Sequence, residues 1–319
     1  MCQSERKSVL QNTKSIFCGQ RLKLQLDDEK CCLSMHLRLI PTAGAIGLLA
    51  ASLAPNAALA NPGGTLRAVI FEDVKPLYQR NGSTYEGMGV DVLEQIQEQA
   101  GLSSVSYTTA SSVSDGFQAI TSGKADIACG VPFTWNRVKR VSYSLPFAIG
   151  GTRLLTKASV NGTPESLAGQ TVGVVKGSAS AKVLRSVIPG IALKPFATPA
   201  DALAAFNAGE VNTLGGGTLW LAANSSASST DLVPLRPYGR AGIGCIVSQN
   251  NGRLLSSANI ALGQMMQAYV DGDAGTREMV NRWIGPTSSV KLTETAITGL
   301  YSLILSTTAE MSTSVKAGS

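Results

Sequence analysis

The chain has 319 residues, 44% of them hydrophobic and 15% charged, with 27 basic against 21 acidic side chains and a formal net charge of +6. Its one histidine, His36, and four of its six cysteines (Cys2, Cys18, Cys31 and Cys32) precede residue 61; seven basic and four acidic residues also lie there, leaving 20 against 17 and a net charge of +3. That charge is too mild for a nucleic-acid surface, and a histidine-free remainder excludes a Ser-His-Asp triad, a Cys-His pair and a His-bearing zinc site.

Residues 1–34 are polar and precede a second methionine, Met35, so they read as an over-extended start. Residues 35–60 have the parts of a secretory signal peptide: Arg38 near the start, an apolar middle and the small-residue end Ala58-Leu59-Ala60. The mature protein is then expected to begin near Asn61 and to lie in the periplasm. The competing reading keeps the segment from Ile40 as a membrane anchor, against which stand Pro41, Pro55 and the small-residue end. The remaining 259 residues suit one large domain or two ordinary ones.

From Thr65 onward strand and helix signals alternate. Leu66 to Phe71 predicts a strand, and Val90, Leu93 and Ile96 share one face of a helix that Gly101 ends. Ser114-Asp115 is expected to cap a helix bearing Phe117 and Ile120, before a strand over Ala125 to Cys129. This β-α-β order predicts an α/β fold with a parallel sheet wrapped by helices. Asp115, Phe117, Ile120, Gly123 and Asp126 recur 86 positions later as Asp201, Leu203, Phe206, Gly209 and Asn212, either as one helix-Gly-strand unit used once per lobe or by coincidence. Thr198-Pro199 strengthens the second copy as a helix start. Phe147 to Thr156 and the glycine-rich Tyr238 to Ser248 are expected to carry the chain between the lobes. Helices are expected around Ile260 to Val270 and ending near Trp283. Beyond Pro286, Ala296 to Leu305 is too short and too interrupted to span a membrane and reads as an amphipathic helix on the protein or a partner.

Seven motifs then fall in register: Gly87-Met-Gly-Val-Asp91, Gly123-Lys-Ala-Asp126, Thr134-Trp-Asn-Arg137, Ser144-Leu-Pro-Phe147, Leu167-Ala-Gly-Gln-Thr-Val-Gly-Val174, Tyr238-Gly239 and Trp283-Ile-Gly285. In that order they resemble the family 3 periplasmic solute-binding proteins over about residues 64–286, and Thr-x-x-Arg with Ser-x-Pro-Phe is similar to the ligand-binding domains of ionotropic glutamate receptors. The resemblance implies a two-lobed periplasmic-binding-protein fold of type II, each lobe a sheet flanked by helices, joined by two crossover strands. It implies lobe 1 over 61–150 and 240–286, lobe 2 over 151–239 and a C-terminal tail over 287–319. A small solute with a carboxylate, an amino acid or analogue, and an ABC permease are the implied partners of a monomer without a cofactor or enzyme activity.

By resemblance Arg137, rather than Lys139 or Arg140, holds the ligand carboxylate, for which a planar guanidinium fork is suited; the other reading is a surface cation on a turn. Backbone groups of Gly130 and Pro132 and the Thr134 hydroxyl stand beside it, although the family often carries serine at the first two places. Phe71, Val113 and Trp135 are expected to form an apolar wall, with core packing the other account of Phe71. Ser178 lies in a turn before a helix near Ala181, where free amides either meet the anion or are merely capped. Thr218 completes the expected ligand set. The family usually places an Asp for the ligand ammonium where this chain reads Gly215-Gly-Gly217, so either Glu72 or Asp73 supplies that charge or the ligand is not a standard amino acid. The resemblance brings Cys129 and Cys245 onto adjacent strands, as a disulfide or as two buried thiols. Two further readings stay open: a dehydratase-like enzyme on the same scaffold, short of an obvious acid, and a ligand-sensing module that transports nothing.

Overall fold

The computed structural model describes residues 63–72, 74–226 and 228–317, with side chains through Thr308. The expected over-extended start and signal peptide, and Asp73, lie outside the described residues. In chain order come β1 (Thr65–Phe71), the hairpin of β2 (Gln79–Asn81) and β3 (Thr84–Glu86), α1 (Met88–Gln99), β4 (Ser104–Ala110), α2 (Val113–Thr121), β5 (Ile127–Pro132), the short α3 (Trp135–Val138), β6 (Val141–Tyr143) and β7 (Ala148–Thr156). After these follow β8 (Thr171–Val175), α4 (Ala179–Val187), β9 (Ala192–Phe196), α5 (Pro199–Asn207), β10 (Thr213–Gly217), α6 (Thr218–Ala223), β11 (Asp231–Ser248), α7 (Gly252–Asp271), α8 (Ala274–Ile284) and α9 (Glu294–Ala317).

One nine-stranded sheet runs β4-β1-β5-β11-β7-β10-β8-β9, with β6 beside β11. Its flanks are built alike. In β4-β1-β5 and in β9-β8-β10 three strands are parallel, and the first of them in sequence lies in the middle. Between the flanks β11 and β7 pair antiparallel to each other and to their neighbours β5 and β10. Cores form on both flanks because strand residues alternate faces. Successive residues Leu154 and Leu155 of β7 feed separate clusters, the first with Val172 and Leu184, the second with Phe206 and Leu214. The larger core packs Ile70, Leu93, Ile127 and Met266 around the other flank.

The repeat is visible in the elements themselves. α2 and α5 begin and end at positions 86 apart, as do the starts of β5 and β10. The first cap differs from expectation: Ser112, not Ser114, accepts the Asp115 amide, matching Thr198 with Asp201 at α5. A cap must be extended while accepting from the third helical amide, and Ser112 meets both conditions.

The C-terminal stretch packs on the protein. Ile297 and Tyr301 of α9 are buried in the larger core; the Tyr301 ring meets Tyr269 edge-on, and its hydroxyl donates to Phe147 O at 3.2 Å. No helix among the described residues is long and apolar enough to cross a membrane.

Two of the sequence motifs meet where Trp283 Nε1 of α8 donates to Asp91 Oδ2 of α1 at 2.7 Å. Burial pushes the Asp91 carboxyl above its ordinary range, and the Trp283 donor opposes that shift by favouring the charged form. Trp283→Phe keeps the ring but removes the donor, and should cost about 1–3 kcal/mol in urea unfolding at neutral pH. Because the lost bond served the carboxylate, the deficit should shrink as pH falls toward about 4 and grow as it rises; a pH-independent deficit would contradict this account.

Candidate functional site

A cleft of about 240 Å³ opens between the flanks. It lies at the carboxyl ends of parallel strands from both sides: Phe71 ends β1, Pro132 ends β5, Val175 ends β8 and Gly217 ends β10. That placement is where open α/β sheets offer ligands room, and the size fits one small solute rather than an oligomer.

The β5 exit owes its shape to a bulge. Ala128 pairs with Ile246 and Val131 with Gly244, so Cys129 and Gly130 oppose the single residue Cys245. Gly130 takes φ +79°, which an L side chain rarely adopts, and a Cβ there would also press on Leu77 at 3.0 Å. A disulfide joins Cys129 to Cys245 across this bulge. The Ser144 hydroxyl accepts the Cys245 amide at 2.8 Å and the Phe147 amide donates to Ile243 O at 2.9 Å, so the Ser-Leu-Pro-Phe stretch fastens the same place.

Beyond the bulge Thr134 caps α3, its hydroxyl accepting the Arg137 amide. Arg137 lines the cleft, half-buried, with Nη1 donating to Pro132 O at 2.8 Å. Tyr143 donates to the same carbonyl at 2.9 Å; burial pushes its phenol up, while the Arg137 charge opposes. Lys139 and Arg140 are exposed and outside the lining, with Arg140 over the Phe117 ring at 5.2 Å.

Phe71 and Val113 line the cleft, and so do Gly130, Pro132, Thr134, Ser178 and Thr218. Trp135 does not. It is 78% exposed, and Phe133 takes its place in the lining with the two rings edge-on at 5.1 Å. The reason is helical phase: two residues at about 100° each put Trp135 and Arg137 on nearly opposite sides of α3, so both cannot face the cleft. Ser178 caps α4 by accepting the Ala181 amide, and the Thr218 hydroxyl donates to Gly151 O at 3.0 Å. Sequence reading placed Lys176 in the turn before α4 and passed over Lys75 and Tyr143. Lys75 and Lys176 both line the cleft, each next to a lining valine, Val74 and Val175.

A family model described as bacterial extracellular solute-binding proteins, family 3, matches residues 66–285. The chain belongs to that family. With it goes the two-lobed type II periplasmic-binding-protein fold, which solved structures share. An ancestral arginine-binding protein bound to glutamine is 24% identical, with a TM-score of 0.61 over 70% of this chain and 98% of its own. A Salmonella typhimurium periplasmic binding protein described by its high arginine specificity is 19% identical, with a TM-score of 0.59 over 70% and 100%. An ancestral amino acid-binding protein described as a precursor of cyclohexadienyl dehydratase is 21% identical, with a TM-score of 0.60 over 70% and 96%. No curated protein matches by sequence.

In this solute-binding protein the disulfide spans 116 residues of sequence and ties the β5 exit to the returning strand β11. Reduction, or the double variant Cys129→Ala/Cys245→Ala, should lower the free energy of unfolding by about 2–5 kcal/mol. Paired urea titrations with and without reductant check this, and coincident curves would refute it.

Proposed function

We propose that the protein captures a small carboxylate-bearing solute, an amino acid or analogue, in the periplasm and delivers it as a monomer to an ABC permease. Arg137 carries this reading. One of its five donors is anchored on Pro132 O, which holds one end of the guanidinium at the cleft and leaves others for a carboxylate entering it. Phe133, Phe71 and Val113 then supply an apolar surface beside the fork, while Lys176 and Ser178 face it from the other flank. A solute touching both flanks favours a closed form, with β7 and β11 as the hinge. The amino acids named for the neighbours agree in kind with a site of this size. An enzyme of the dehydratase type would need a cleft acid. Glu72, the acid among the described lining residues, stands exposed 3.6 Å from Arg80, and we read the protein as a binder.

Calorimetric titration with a panel of amino acids and 2-oxo acids tests this. Arg137→Ala should weaken the tightest ligand by about 30-fold or more, since it strips the partner from a desolvated charge. Trp135→Ala should stay within about twofold, as expected of an exposed ring away from the lining. Undiminished binding in Arg137→Ala would discard the assignment.

A further inference from the structure

The cleft is uneven in charge. Lys75, Arg137 and Lys176 line it against one carboxylate among the described residues, Glu72, whose oxygen lies 3.6 Å from Arg80 outside the lining. No ion pair among the described residues engages Lys75, Arg137 or Lys176.

Several acceptors of the lining are already engaged as well. An ammonium brings three N–H donors and no acceptor, so it needs oxygen atoms with lone pairs to spare. Pro132 O already receives Arg137 at 2.8 Å and Tyr143 at 2.9 Å, which fills it. Gly151 O takes the Thr218 hydroxyl at 3.0 Å, and the Thr152 and Ser180 hydroxyls bond each other at 3.2 Å. At the end of β10 the three glycines are not equivalent. A Cβ at Gly215 would meet Leu184 at 2.5 Å and one at Gly216 would meet Trp220 at 2.8 Å, whereas at Gly217 nothing lies within 4 Å. Packing therefore accounts for the first two, and the third leaves an open spot on the wall without a side chain.

We infer that the ligand is an organic acid without an α-ammonium group, a 2-oxo or comparable monocarboxylate with an apolar body. This rests on the reading that the cleft binds a small carboxylate. Arg137 takes the acid, the lysines add attraction of the same sign, and Phe71, Val113, Phe133 and Ile243 cover the carbon skeleton. An amino acid would place its cation among three like charges, with Glu72, already beside Arg80, as the one described carboxylate to offset them, so the desolvation of that cation would be poorly met.

The test uses matched pairs on the exported full-length protein: 4-methyl-2-oxopentanoate against leucine, and phenylpyruvate against phenylalanine, each by calorimetry. Tighter binding of the oxo acid by about tenfold or more in at least one pair is expected. Gly217→Asp, its fold checked by circular dichroism, should move the preference within that pair toward the amino acid by about tenfold or more, because the open spot then holds a carboxylate. Tighter amino-acid binding in the unchanged protein, lost on Glu72→Gln or Asp73→Asn, would overturn the inference and leave the carboxylate site standing. Failure of every acid in the panel to bind would instead remove the reading on which it rests.

Discussion

The structure depends on the antiparallel pairing of β7 with β11. These two strands carry the chain out of one flank and back, and they form the seam where the flanks meet. Their register runs from Asp231 opposite Thr156 to Ile243 opposite Ala148, with irregularities on both sides of Tyr238. Regular ladders resist bending, so the interrupted bonding of this seam is where the hinge of the proposed closure would flex. Close approach sets its composition: a Cβ at Gly151 would meet Pro237 at 2.6 Å, and one at Gly150 would meet Ile243 at 2.8 Å. At Gly151 the backbone oxygen of Tyr238 also lies 3.0 Å from that position, so a side chain there would press the two strands apart.

The site inherits its precision from this seam. Two residues of β5 face one of β11, the disulfide closes on that mismatch, and the turn that follows aims Arg137. A charged side chain on a short surface helix would ordinarily wander at an entropic cost on binding. Here Thr134 caps the backbone at Arg137 and the Pro132 carbonyl holds one end of its guanidinium, so in the proposed role less of the interaction energy would be spent on ordering.

Much of this was legible from residues alone where the signal was local. Glycine stops, a Thr-Pro helix start and the apolar spacing of Val90, Leu93 and Ile96 marked the elements, and α2 and α5 sit at the 86-residue offset that the repeat suggested. Resemblance singled out Arg137 from a run of three cations, something charge and spacing could not do. What escaped reading depended on phase or on distance in sequence. Trp135 and Phe133 both lie close to Arg137 in sequence, and only the start of α3 at Trp135 decides which ring lines the cleft. Tyr143 shares a carbonyl with Arg137 through a fold-back of the chain. The cap was read at Ser114 and lies at Ser112, a difference of two residues of helix.

The α9 helix changes where this molecule ends as a physical object. Family resemblance stops at residue 285, yet Ile297, Tyr301 and Ile304 belong to the same apolar interior as Ile70 and Met266. The Tyr301 phenol sits on the Phe147 carbonyl, the last residue before β7 begins. A truncation drawn at the family boundary would strip Tyr269 of its ring partner and Phe147 O, at the root of β7, of its donor. The tail is therefore part of the body that holds the first residues of β7 in place.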